Sequence, residues 1–308
     1  MSAADRWVLA GLRWANRLRF ALKLRRHGRI AYLESPRRDG PTLVWLHGLG
    51  ASKDQWGPAM FGLARQYHCL FIDLPGHGES LYDCTAGYGP QAMVAELEPL
   101  LVSLGDRALV LIGSSLGGCV AALLAARQRQ HFTGLVLLAP AGLGEATLGP
   151  ALALGLRNGD ACFGYRTEAE MARFWRLVFE QPPRVGPRIA RALAASGARR
   201  YGQVQRVVDD FKREGLGQLA SQLPGVSCHV QVIWGSCDQV FQPSALAETI
   251  RLLPSATGHL VEGAGHVAYL ERGDEVVSVI RRYLLDGSTL DEGTPGPGDR
   301  LRATARTS

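Results

Sequence analysis

The sequence predicts an α/β fold: a mostly parallel central sheet flanked by helices, with a helical cap inserted after a strand. Three observations predict it. Short β-branched and Leu-rich runs alternate with longer helix-period patterns over residues 29–140 and again over 223–286, and strand, helix, strand at this spacing builds a parallel sheet covered on both faces. The rhythm stops over residues 141–222, a stretch too long for an ordinary crossover; it is expected to be a cap over the carboxyl edge of the sheet rather than two more layer helices. Finally, polar residues among glycines follow several strand candidates, and ligands in such sheets bind beyond the strands' carboxyl ends. With 308 residues, 46% of them hydrophobic and 20% charged, the chain can bury a large core without metals or disulfides.

The elements follow in chain order. Residues 1–28 read as a basic amphipathic helix, because Trp7, Ala10, Gly11, Trp14, Leu18, Ala21 and Leu22 recur at three- and four-residue spacing. Strands are expected at Arg29–Glu34, Thr42–Leu46, Cys69–Ile72, Ala108–Ile112, Gly134–Leu138, His229–Trp234 and Gly258–Val261. Helical patterns cover about 54–65, 90–104, 116–128, 244–252 and 273–285, and cap pieces about 167–179, 185–196 and 201–221. The tail 287–308 is rich in Gly, Pro and Thr, has no apolar period and is expected to be disordered.

Charge is unevenly spread. The first thirty residues hold Arg6, Arg13, Arg17, Arg19, Lys23, Arg25, Arg26 and Arg29 against Asp5, so they carry a surplus of seven while the whole chain carries +6. The body is thus close to neutral, which argues against nucleic acid as a partner. The arginines exclude the uncharged core of a secretory signal. Three readings of the segment remain: an interfacial helix on an anionic membrane through residues 6–26, a helix packed on the body, or a targeting presequence. The six cysteines, at 69, 84, 119, 162, 228 and 237, show no C-x-x-C or zinc spacing. They fit buried thiols in a reducing compartment, hence a cytoplasmic location, with peripheral contact on the membrane face.

The chemistry concentrates at strand ends. Gly113-Ser114-Ser115-Leu116-Gly117 matches G-x-S-x-G between a strand and the helix CVAALLAA. A serine on that tight turn projects Oγ above the sheet, Gly113 and Gly117 leave room around it, and the helix behind aims its free N–H groups at the site. Ser115 is therefore the candidate nucleophile; Ser114 is the rival but should point away. A serine needs a base, and His266 stands in the glycine-rich loop Gly263-Ala264-Gly265. Asp238 follows the strand HVQVIWG and can accept the Nδ1 proton of His266, with Glu262 as the nearest alternative acid. Leu116 N–H is one oxyanion donor. The second should come from the loop His47-Gly48-Leu49-Gly50, where glycine lets backbone approach a substrate. His47 reads as a turn-shaping residue rather than an acid or base.

The order Ser115, Asp238, His266 resembles the α/β-hydrolase superfamily, as do HGLGASKDQW at 47–56, DLPGHGES at 73–80, GSSLGG at 113–118, APAG at 139–142, WGSCDQV at 234–240 and GAGHVAYLER at 263–272. Within it, HGLGASKDQW, PAGL and FWRLVFEQPPRV look like bacterial esterases and lipases related to monoacylglycerol lipases. The resemblance implies a serine esterase or lipase for monoacylglycerols or similar acyl esters, Leu49 N–H as second oxyanion donor, no cofactor, and a membrane-binding segment at residues 6–26. Two features depart from the relatives: only one small strand is visible before the His47 strand, and Ser114 replaces the Asn, His or Thr often found there. A C–C bond hydrolase, an acyltransferase or a non-enzymatic binding scaffold would use the same framework. Ser115 excludes the aspartate-nucleophile branches, no glycine run has a Walker lysine or dinucleotide fingerprint, and no compact metal-ligand set is visible.

Overall fold

A computed structural model describes residues 2–128, 131–158, 163–253 and 255–291. Eight strands form one sheet in the order β1-β2-β4-β3-β5-β6-β7-β8: β1 Lys23–His27, β2 Ile30–Glu34, β3 Thr42–Leu46, β4 His68–Ile72, β5 Leu109–Ser114, β6 Phe132–Leu138, β7 His229–Gly235 and β8 Ala256–Val261. β1 and β2 run antiparallel at one edge, and β4 through β8 are joined by parallel pairings. The expected fold class is thus observed. Every residue of β3, β4 and β5 is buried, so side chains alternate between two apolar layers. Val44, Leu46, Leu109 and Leu111 pack toward α3 Pro90–Val102, α4 Leu116–Arg127 and α8 Ala245–Leu252. Leu43, Trp45, Val110 and Ile112 pack on the other face toward α2 Gly57–Gly62, α9 Ala268–Glu271 and α10 Gly273–Asp291.

The cap lies between β6 and β7 and is built of α5 Pro150–Arg157, α6 Glu168–Val178 and α7 Pro187–Glu214. The two helix pieces expected over 185–221 are one 28-residue helix that stops at Glu214, where Gly215 takes φ 102°. At Gly197, between the two expected pieces, the Tyr165 ring occupies the space a side chain would need, so the missing Cβ serves packing. α5 was not expected; its PALALGLR text starts at a proline in the first turn, a position that suits proline.

The N-terminal element differs from the expected helix over 1–28. α1 Ala3–Arg19 begins with a capping box between Ser2 and Asp5 and ends at Phe20. Leu22 N–H closes back on Arg17 O at 2.8 Å, and Lys23–His27 then forms β1, paired with β2 through a turn at Gly28 with φ 55°. Nearly all of β1 is exposed, so KLRRH lacks the apolar alternation that marks a half-buried strand. Its charges suit an edge strand, because they discourage pairing with another chain. The second small strand, which the sequence pattern does not show, is therefore present. At the other end α10 runs to Asp291, through residues 287–291 of the expected tail; residues 292–308 and Cys162 lie outside the described residues.

Candidate active site

Ser115 sits between the last residue of β5 and the first of α4 with φ 53° and ψ −116°, a conformation that costs a non-glycine residue of order 1–3 kcal/mol. The surroundings hold it there. Ser115 N–H donates to Leu138 O at 2.9 Å, and Ser115 O accepts from Cys119 and Ala141 N–H at 3.0 Å each. A Cβ on Gly113 would collide with the Gly117 and Gly118 backbone, and one on Gly117 with the Leu46 and His47 carbonyls. These glycines let β3, β5 and α4 converge beneath the serine. Ser114 is buried, with its side chain close to that of Tyr269 on α9 behind the turn.

His266 and Asp238 meet at the ends of β8 and β7. His266 Nδ1 and Asp238 Oδ2 are 2.8 Å apart. The other carboxylate oxygen, Asp238 Oδ1, accepts Val240 N–H at 2.8 Å and Phe241 N–H at 3.0 Å, so the acid is locked by its own loop. Glu262 is exposed and plays no part in this arrangement. The histidine loop is held by Cys237 N–H to Ala264 O at 2.9 Å and by Gly265 N–H to Glu271 Oε2 at 2.7 Å. The second Glu271 oxygen accepts Gln181 N–H from the cap at 2.8 Å. Glu271 thus ties the histidine loop to the cap, a role without a sequence signal because its partner is ninety residues away.

His47 and the following loop form the opposite wall. His47 Nδ1 lies 2.8 Å from Gly48 O, and Leu74 N–H donates to Nε2 at 3.1 Å. That pattern requires the neutral ring with its proton on Nδ1, and burial pushes its pKa down to about 3. His47 therefore spans the loops after β3 and β4. Gly48 stands so close that a Cβ there would lie 3.3 Å from the Ser115 Cβ. Leu49 and Leu116 line the same cavity as Ser115. Leu116 opens α4, so its N–H has no carbonyl one helical turn earlier to bind.

Beneath this wall lies a charge cluster that the sequence did not announce. Lys53 is fully buried, with Nζ 2.8 Å from Asp73 Oδ2, 3.1 Å from Asp54 Oδ2 and in contact with Glu79. Burial alone would lower its pKa; the three carboxylates outweigh burial and raise it. Arg17 of α1 joins them, bonding Asp54 at 3.0 Å and Glu79 at 3.1 Å.

Two cavities open from Ser115. One, of about 60 Å³, is narrow and apolar, with Leu148, Leu152, Leu156, Val207 and Phe211 among its walls. The other, of about 400 Å³, is bounded by His266, Trp175, Tyr165 and Arg200 and reaches Asn16 of α1. A profile described as the Alpha/beta hydrolase family matches residues 43–279, from β3 into α10 with the cap and all three polar residues between. The chain belongs to the alpha/beta hydrolase family. Among relatives of this alpha/beta hydrolase, Lipase 1 of Psychrobacter immobilis is 24% identical over 268 residues, 85% of this chain and 83% of that protein. A Xenopus laevis monoacylglycerol lipase, abhd6-B, is 24% identical over 286 residues, 88% of this chain and 84% of that one. The crystal structure of a membrane phospholipase A, a bacterial virulence factor, superposes with a TM-score of 0.85 at 28% identity over 92% of both chains. The molecule is accordingly a serine hydrolase of the alpha/beta hydrolase family.

Proposed function

We propose that the protein hydrolyses carboxylic esters, with monoacylglycerols and related medium-chain monoacyl esters as its substrate class. The observation that carries the reading is the 2.8 Å contact of His266 Nδ1 with Asp238, in a molecule whose strained Ser115 shares the cavity with His266. Ser115 Oγ attacks the ester carbonyl while His266 Nε2 takes its proton. Asp238 orients the ring and stabilises the imidazolium. Leu116 and Leu49 N–H groups hold the oxyanion. Collapse of the tetrahedral intermediate breaks the bond to the alkoxy oxygen, which leaves as alcohol with the proton from His266. Water, deprotonated by the same histidine, attacks the acyl-serine; the carboxylic acid is released and Ser115 regains its proton.

The substrate class is supported by the apolar cavity, which suits an acyl chain, and by the lipases among the relatives. We further infer that α1 lies on an anionic membrane surface. Among the described residues no helix is long and apolar enough to cross a membrane, but Trp7, Trp14 and Leu18 are 77%, 64% and 60% exposed.

A serine-directed phosphonate tests the centre. It should add once per chain, at Ser115, and not to Ser115→Ala; labelling elsewhere overturns the assignment. A panel of glyceryl and aryl esters from two to sixteen carbons, with a vinylogous diketone, tests the substrate. Diketone cleavage without ester turnover would make the protein a C–C bond hydrolase instead.

A further inference from the structure

The cap helix α7 carries a residue that this hydrolytic scheme does not use. Leu193, Gly197, Arg200 and Val204 recur at three- and four-residue spacing, and all four line the larger cavity beside Ser115 and His266. Arg200 is the charged member of this inward stripe. Arg200 is only partly buried, yet a partly desolvated guanidinium ordinarily holds a carboxylate, since an uncompensated charge drawn out of water is costly. The acids nearby are already engaged: Asp54, Asp73 and Glu79 face Arg13, Arg17 and Lys53, three anions against three cations. Arg200 makes no ion pair among the described residues. It donates Nη2 to Ser196 Oγ at 2.9 Å, which leaves most of its five N–H donors for the cavity. Burial, followed by the neighbouring Arg13, pulls its pKa down, a cost that a bound anion would relieve.

The two cavities decide which half of an ester meets this cation. The narrow apolar one suits an acyl chain, which assigns the alcohol half to the larger one, where Arg200 stands. A neutral glycerol offers no counter-charge, whereas a phosphate presents two oxygens to the planar guanidinium fork. We propose that Arg200 is a specificity-determining residue that binds a phosphate on the alcohol half, so that the preferred monoacyl ester of glycerol is one whose glycerol is phosphorylated. This rests on Ser115, His266 and Asp238 being the hydrolytic centre.

The test compares mono-octanoylglycerol with mono-octanoylglycerol phosphate, below their micelle concentrations, on the full chain and on Arg200→Gln and Arg200→Lys. The wild type should favour the phosphorylated ester. In Arg200→Gln the ratio of kcat/KM between the two esters should fall roughly tenfold or more, as expected for loss of a charge-assisted pair, chiefly through KM. Arg200→Lys should fall between. An unchanged ratio, or equal losses on both esters as from a damaged cap, overturns the proposal. A second arm needs no turnover: titration calorimetry of glycerol 3-phosphate into Ser115→Ala should show binding that vanishes in Ser115→Ala/Arg200→Gln. If neither ester is cleaved yet this binding is present and needs Arg200, the hydrolytic reading fails and the phosphate site stands. If no such binding occurs, the site falls. Inorganic phosphate binding as tightly as glycerol 3-phosphate would mark a free-anion site and overturn the substrate claim.

Discussion

At the scale of single residues, the proposed centre depends on which proton each group holds. Asp238 accepts from two backbone N–H groups with one oxygen and faces His266 Nδ1 with the other. Asp238→Asn would keep the shape but present an amide to that nitrogen and favour the wrong tautomer. The expected result is a fall in kcat of about 10⁴-fold with KM little changed, measured on a soluble aryl ester; a loss under tenfold would remove Asp238 from the mechanism. A different protonation balance governs stability. Burial holds His47 and His77 neutral, each with a folded pKa of about 3, whereas the unfolded chain protonates them near 6.5. The unfolded state therefore binds more protons as pH falls through 6.5, and stability drops with falling pH by up to about 1.4 kcal/mol per unit per histidine. Urea midpoints should decline between pH 7 and pH 5, above the range where carboxylates titrate, and the decline should be shallower in His77→Gln. An identical slope in that variant would show that His77 is not the source. Ser115, Asp238 and His266 were legible because each follows a strand end amid glycines. Arg200 and Glu271 were not, because only the fold brings Arg200 to the cavity beside Ser115 and Gln181 to Glu271.

At the scale of elements, the elbow is a three-way junction of β3, β5 and α4. A methyl group at Gly117 has no free volume, because it meets the carbonyls of Leu46 and His47 on the adjacent strand. Backbone cannot swing aside as a flexible side chain can. Gly117→Ala should therefore cost roughly 3 kcal/mol, the upper end of overpacking, and slow phosphonate labelling of Ser115. Thermal melts and labelling rates check this; a stable, normally labelled variant would mean that the junction yields. The same logic separates the elements the sequence disclosed from those it hid. Of the six parallel strands after β2, the five from β3 to β7 are buried almost throughout and read as continuous apolar runs. β1 is a polar edge whose identity comes from pairing with β2, and pairing leaves no mark on a one-dimensional pattern. The cap was visible as an interruption of rhythm, yet its pattern divided α7 into two pieces around Gly197, where the Tyr165 ring packs.

At the scale of the whole molecule, α1 is two-sided. Its inner side holds Leu9, Arg13 and Arg17, with Arg17 bonded to Asp54 and Glu79 and Asp5 3.8 Å from Arg191 of the cap. Its outer side sets Trp7, Gly11, Trp14 and Leu18 within one narrow arc, all exposed. The helix thus neither folds its tryptophans onto the body nor stands free. Polar residues anchor it, and an apolar stripe remains directed away from the core beside the cavity that Asn16 helps to line. Arg6, Arg19 and Lys23 are exposed around that stripe, which suits anionic headgroups. Deleting the segment through residue 26 would also remove most of β1 and the buried Phe20 and Leu22, so truncation would confound docking with folding. The triple variant Trp7→Ser, Trp14→Ser, Leu18→Ser isolates the stripe, because it leaves Arg17, Asp5 and Leu9 in place. Its melting temperature should stay close to that of the wild type, as exposed substitutions usually change stability by about 0.5 kcal/mol or less. Its turnover of a soluble short-chain ester should likewise hold. Cosedimentation with vesicles containing anionic lipid should fall at least roughly tenfold, since two tryptophans and a leucine no longer enter the interface. For the wild type, the same binding should weaken with added salt and be slight on neutral vesicles. Equal vesicle binding by the triple variant and the wild type would place the membrane contact elsewhere, and no binding by either would end the membrane reading altogether.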